Sequence, residues 1–189
     1  MELFRNLRIR AGRSMLGSKL SRNTRKPHYN SFYNIRTIGI VWDASKPEDF
    51  TALAKFSQRM TELGKQVSIF GYYPGKSLPD QFIANRTITC LKRTEVDFFY
   101  RPSTPEAHAF IKEKHDVLID INFGRQFTLE YITALSQASL KVGLAGADPA
   151  SAPFDLMISV RNPESVEKFL EQVLYYLEMI NSEPIKKAV

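Results

Sequence analysis

Residues 116–123 read Asp-Val-Leu-Ile-Asp-Ile-Asn-Phe, and this stretch decides the fold. Its Val, Leu and Ile run on without the polar alternation of a half-exposed strand, so it reads as a strand buried on both faces. Strands of that kind belong to parallel sheets covered by helices. On its N-terminal side Thr104 and Pro105 open a short helix to about Lys114. On its C-terminal side Thr128 is placed to cap a helix running through Gln137.

The same alternation extends in both directions. Ile38 to Trp42 is a second continuous apolar run, ending at Asp43. Ser45 and Glu48 have capping-box spacing with Pro47 in the first turn, which opens a helix with Phe50, Leu53, Ser57 and Met60 on one face and Gly64 as its stop. Val67 to Tyr72 is the next strand and completes a βαβ unit of about 30 residues. Arg86 to Leu91 and Val96 to Tyr100 read as two short strands, or one strand and an irregular edge, around the charged turn Lys92 to Glu95. Leu140 to Ala145 and Phe154 to Val160 are the last strands. Asn162, Pro163 and Glu164 start a final helix with Val166, Phe169, Leu170, Val173, Leu177 and Ile180 on its buried side. Strands alternating with helices predict a doubly wound, mostly parallel, Rossmann-like α/β sheet.

Composition fits one such domain with an appendage. Of 189 residues 43% are hydrophobic and 24% charged, and a core of this size buries roughly 70% of the unfolded surface without metal or disulfide. The single Cys90 cannot pair within the chain, which suits a reducing, cytoplasmic setting, and three histidines without Cys/His clustering argue against structural zinc. No apolar run reaches the ~18 residues of a membrane span, and Arg5, Arg8, Arg10 and Arg13 interrupt any signal-like apolar segment.

Charge divides the chain. Residues 1–36 carry nine Lys or Arg against Glu2, a net of +8, while the remainder is at −2. Leu3, Phe4, Leu7, Ala11 and Met15 form a narrow helical stripe flanked by Arg5, Arg8 and Lys19 on one side and Arg10 and Arg13 on the other. Gly12 and Gly17 each cost about 1 kcal/mol relative to alanine, so this basic helix should firm up only against a partner. Ser21 to Asn34 reads as a polar linker. The predicted organisation is an arm and linker over 1–34, an α/β domain over 35–183 and a tail over 184–189.

The arm supplies the leading functional expectation: a non-catalytic module that docks on RNA or a ribonucleoprotein through Arg5, Arg8, Arg10, Arg13, Lys19, Arg22, Arg25 and Lys26, with Tyr29, Phe32 and Tyr33 available for stacking. An anionic membrane surface, taking Phe4, Leu7 and Met15, is an alternative. Others are a cleaved transit peptide, a solvated arm, or a helix docked on its own acidic domain.

A rival expectation places function beyond the carboxyl ends of the strands, where such sheets bind ligands. A small enzyme or ligand-binding module would use a pocket around Asp43, Asp120, Asn122 and Arg125. Ser45, Tyr72, Tyr73, Lys76, Asp148, Ser159, Arg161 and Asn162 also fall at strand ends, with Ser45 and Asn162 more simply helix caps. Asp120, an acid among Val, Leu and Ile, requires a partner, and a structural ion pair with Arg125 or Lys76 is the expected one. Gly71 to Ser77 has one residue too few between its glycines for a phosphate loop, and Gly143 to Gly146 matches no dinucleotide fingerprint. No Gly-x-Ser-x-Gly elbow is present, Cys90 reads as a packed thiol, and no cofactor or metal is implied.

From Arg36 to Ile180 the chain resembles a family of small bacterial α/β proteins of unknown function, on the runs IGIVWDAS (38–45), DVLIDINF and KVGLAGADPASAPFDLMI (141–158). That resemblance implies a fold and no activity. More distantly, DVLIDINF, a Thr-Leu-started helix and KVGL in that order look like part of the N-terminal half of heptosyltransferase-type glycosyltransferases. Those enzymes need a second Rossmann-like domain for the nucleotide sugar, so the likeness implies the fold and not the transfer reaction.

Overall fold

The computed structural model describes residues 4–83, 87–146, 152–160 and 165–180. Six strands form one all-parallel sheet: β1 (Thr37–Asp43), β2 (Gln66–Tyr73), β3 (Ile88–Lys92), β4 (Val117–Ile121), β5 (Leu140–Leu144) and β6 (Leu156–Ile158). Their spatial order is β3-β2-β1-β4-β5-β6, so the chain reverses direction across the sheet between β1 and β4. This is the doubly wound α/β arrangement expected from the apolar runs.

Alternate residues of each strand feed two layers. Ile38, Ile40 and Trp42 of β1, Ile119 and Ile121 of β4, and Leu140 and Val142 of β5 pack under α2 (Phe50–Glu62) and α6 (Val166–Met179). Val41, Phe70 and Leu118 face the other way, under α4 (Pro105–Lys112) and α5 (Phe127–Leu135). A four-residue helix, α3 (Asp80–Ile83), brings Phe82 edge-on to Trp42, 5.0 Å between ring centres. Cys90 is a buried thiol that burial pushes up to about 12, as a packed residue requires.

Helix α1 (Arg5–Leu20) lies on α5. The face it buries is not the expected stripe. Gly12 and Leu16 are buried, with Ile9 beside them, against Tyr100, Phe127, Tyr131 and Ala134. Phe4, Leu7 and Met15 remain 62%, 58% and 37% exposed. Close approach explains the choice: a Cβ on Gly12 would stand 2.7 Å from the Phe99 carbonyl and from Phe127 Cε1. A helix can lie this near only where a side chain is missing.

Arg8 fastens the N-terminal end of α1, sandwiched over Phe98 (4.2 Å) and Tyr100 (4.8 Å) and donating to the Phe98 carbonyl. After α1 the chain crosses to the α6 face. The His28 amide donates to the Ser139 carbonyl, and a 3₁₀ turn at Phe32–Asn34 buries Phe32. Lys65 Nζ closes this crossing by donating to the carbonyls of Phe32 (2.7 Å) and Ile35 (2.8 Å). Phe32 is therefore core, whereas Tyr29 and Tyr33 remain exposed.

Other local expectations are corrected. The Ser45–Glu48 capping box does not form. Ser45 instead donates its amide to Asp43 Oδ1, and Pro47–Asp49 is a 3₁₀ turn leading into α2. Thr128 lies inside α5, its hydroxyl donating 2.9 Å to the Tyr100 carbonyl, and Gln126 is the N-cap. Val96 forms only a bridge to Pro102, with Asp97 collecting the amides of Phe99 and Arg101 in a tight turn. The region from 87 to 100 thus holds one strand and an irregular edge. Asp148, Arg161, the expected helix-starting residues 162–164 and the tail lie outside the described residues; among those described, α6 begins at Val166, with the Ser165 hydroxyl capping it by accepting from the Lys168 amide.

Candidate functional site

Asp120 occupies β4 on the α5 face. The Asn122 amide donates 2.8 Å to its Oδ1 and the Thr133 hydroxyl donates 2.5 Å to its Oδ2. The expected ion pair is absent among the described residues, and α5 supplies a neutral donor instead. Burial pushes the carboxyl up to about 6, the two hydrogen bonds only partly opposing it.

Asn122 braces the turn after β4. Its Oδ1 accepts from the Gln126 amide at 2.8 Å and its Nδ2 donates to the Gln126 carbonyl at 2.9 Å, so the amide is committed to starting α5. Within this braced turn Arg125 has φ 50°, a left-handed backbone that a non-glycine residue holds only where its surroundings enforce it. Its side chain is exposed, has no partner among the described residues, and reaches across to Gly146 after β5.

These three residues line one half-open groove of about 880 Å³. It sits on the α5 face over β5, where the doubly wound pattern would place a crossover helix between β5 and β6. The described residues of that connection contain none, and they contribute Ala145, Gly146 and Ala152 to Asp155 to the lining. Phe154 lies flat against Gly143, whose missing side chain admits the ring.

The remaining wall is the arm, through Arg13, Leu16, Leu20, Asn23 and Arg25. Arg13 pairs with Glu130 of α5 at 2.8 Å in a solvent-facing contact. Arg25 meets Asp155 at 2.6 Å with little exposure on either side chain. Lys141 of β5 is 2% exposed and donates from Nζ to the Ala134 carbonyl at 2.9 Å. Burial first, and then the Arg25 charge, lower it from 10.5 to about 7, with Asp155 opposing.

Each of the two ion pairs largely neutralises itself, which leaves Arg125 at the mouth, and Lys141 and the Thr133-bonded carboxyl of Asp120 within. Leu16, Leu20, Phe123, Leu144 and Phe154 make much of the remaining surface apolar. Such a lining suits a ligand with an apolar body and an anionic end.

Other strand-end residues are placed elsewhere. Asp43 stands against Gly124, behind the Arg125 turn and outside the groove lining. Tyr72 is buried under α4 and α5, Tyr73 packs on Phe82, and Lys76 and Ser159 are exposed away from the groove. Of the eight arm cations, Arg5 and Lys19 lie over Tyr100 and Tyr131, and Arg8, Arg13 and Arg25 are bound to the body. Arg10, Arg22 and Lys26 have no partner among the described residues and are exposed.

Glu130, Lys141 and Asp155 are the charged groove residues that sequence reading missed. A lysine inside the apolar run Leu-Lys-Val carried the same signal as Asp120 inside its own strand. Among the described residues no three His, Cys, Asp or Glu side chains come together as metal ligands, and no helix is long and apolar enough to cross a membrane.

A family model described as a family of unknown function matches residues 9–180, taking in most of the arm together with the sheet. No curated protein matches the chain.

Proposed function

The chain belongs to DUF6913, a family of unknown function, and from its own side chains we propose a binding module for a small, partly apolar anion held between α5, β5 and the arm. One observation carries this reading: Asp120, Asn122 and Arg125 converge on a single groove whose fourth wall is the N-terminal arm. The arm is then part of the binding site, and its charge serves mainly to hold α1 and the linker in place. The heptosyltransferase likeness adds no sugar transfer to this reading, since it reaches only the stretch from β4 to β5.

The test is thermal stabilisation by a panel of small carboxylates and phosphates with aliphatic or aromatic bodies. A ligand present at a hundred times its Kd stabilises by about 2.7 kcal/mol, or roughly 5–10 °C in Tm at this chain length. Arg125→Ala should remove that shift while leaving the unliganded Tm within about 1 °C, because an exposed side chain in a strained backbone contributes little to the fold. A panel that shifts nothing, or a variant that responds as the wild type does, overturns the reading.

A second reading rests on the outer face of α1. Exposed Phe4, Leu7 and Met15 beside unpartnered Arg10 favour attachment to an anionic membrane surface over docking on RNA, because phosphates offer nothing to bare apolar side chains. RNA docking would be left with Arg10, Arg22 and Lys26, and about three phosphate contacts give only a shallow salt dependence. Flotation on phosphatidylserine liposomes and RNA binding in low salt, both with the full-length chain and with Phe4→Ser/Leu7→Ser, separate the two. Flotation lost in the variant supports the membrane, and RNA binding indifferent to it supports RNA.

A further inference from the structure

Among the described residues Lys141 is the one primary amine lining the groove, and the binding reading gives it no work. Its neighbours Leu140 and Val142 point into the α2/α6 core, so Lys141 is directed the other way, towards the groove and α5. Its nitrogen meets the carbonyl of Ala134 in the last turn of α5, where a fixed acceptor holds one hydrogen and aims the side chain. Arg25 stands near it, and the carboxylate that could compensate both, Asp155, is already bound to the Arg25 guanidinium through both oxygens. An amine so placed is deprotonated readily, and near neutral pH a large fraction carries a free lone pair.

Resting on the groove as the binding site, we propose that Lys141 captures the carbonyl carbon of a small anionic aldehyde or 2-oxo acid as an imine. The Nζ lone pair adds to the carbonyl carbon, and the C=O π pair moves to oxygen, which takes a proton as the nitrogen gives one up. The resulting carbinolamine loses the hydroxyl as water while nitrogen loses its second hydrogen, forming C=N. Amine and carbonyl thus give imine and water, with no oxidant and no net proton. The ligand's anionic group is left to the cations of the groove, of which Arg125 is unpartnered among the described residues.

The experiment treats the full-length protein near pH 7 with glyoxylate and sodium cyanoborohydride, which fixes an imine as a carboxymethyl group, and locates the adduct by peptide mass mapping. Glycolate, which lacks the aldehyde carbonyl, is tested in parallel for thermal stabilisation, beside carboxylates with aliphatic or aromatic bodies. The expected result is modification of Lys141 at least about tenfold faster than of surface lysines, whose amines are mostly protonated at that pH. Lys141→Arg keeps a donor for the Ala134 carbonyl and should melt as a folded protein without the dominant adduct.

Adducts spread over surface lysines with Lys141 untouched overturn the imine. If glycolate stabilises the protein while glyoxylate leaves Lys141 unmodified, the imine fails and the groove stands. If neither glycolate nor any carboxylate with an aliphatic or aromatic body stabilises the protein and no Lys141 adduct forms, both fail.

Discussion

Arg25 and Asp155 meet through two charge-assisted hydrogen bonds, Nη2 to Oδ1 at 2.6 Å and Nη1 to Oδ2 at 2.9 Å, across 130 residues of chain. The same guanidinium donates to the carbonyls of Ala138 and Ser139, and Asp155 also accepts the Lys141 amide. One pair therefore ties the linker to the start of β5 and to the approach to β6. Both side chains are largely withdrawn from water, so removing one leaves the other uncompensated. Arg25→Ala should lower the unfolding free energy by about 3–5 kcal/mol, measured by urea denaturation. A loss below about 1 kcal/mol would show the pair to be as weak as a surface contact.

Arg13 and Glu130 provide the contrast. Their side chains are 55% and 31% exposed, and exposed pairs contribute about 0.2–1 kcal/mol. Arg13→Ala should stay within that range and lose its effect in 1 M salt. Two contacts of one arm, similar in geometry, are thus expected to differ several-fold because water reaches only one of them.

Gly12 and Gly17 separate packing from propensity. Gly12→Leu cannot be accommodated against the Phe99 backbone and the Phe127 ring, so α1 should lift, and trypsin should cleave at Arg10 and Arg13 at least about tenfold faster than in the wild type. Nothing lies within 4 Å of a Cβ on Gly17, and Gly17→Ala should stabilise by up to about 1 kcal/mol through helix propensity. Equal protease resistance in Gly12→Leu would mean that the arm is not seated by close approach.

Asp120 sets a pH dependence. It keeps its proton in the folded chain up to about 6, against 3.8 for an ordinary aspartate. Between these values the folded state binds the extra proton, so stability falls as pH rises from about 4 to about 6 and stays lowered above. At neutral pH the deficit is on the order of 3 kcal/mol, at 1.36 kcal/mol for each tenfold difference in proton affinity. Asp120→Asn has no proton to lose. Urea melts of both proteins from pH 4 to pH 7 should show the variant gaining on the wild type by that amount, whereas a constant difference would mean that Thr133 and Asn122 fully stabilise the carboxylate.

The sheet was legible because burial on both faces leaves an unmistakable composition, as in Val117–Ile121 and Thr37–Asp43. Asp120 was legible as an anomaly for the same reason, but its partner was not. Thr133 reaches it from the next helix, and a neutral hydroxyl leaves no trace in a charge pattern. The buried face of α1 was misread because hydrophobicity ranked Phe4, Leu7 and Met15 above Gly12, while the contact selects the smallest residue. Long-range pairs such as Arg25 with Asp155 have no local signature at all, so the arm's charge looked free when much of it is engaged.

The seating of α1 also sets an order of events. The helix is made before any of its receptors: the Phe98 carbonyl taken by Arg8 comes 90 residues later, Glu130 comes 117 after Arg13, and Asp155 comes 130 after Arg25. Contacts so distant along the chain raise the contact order and slow folding: α1 has no complete receptor until α5 has been made, and Arg25 has no carboxylate until Asp155 has. The groove is therefore assembled from segments as far as 130 residues apart, the arm on one side and the approach to β6 on the other, and no local stretch of the chain carries a binding site by itself.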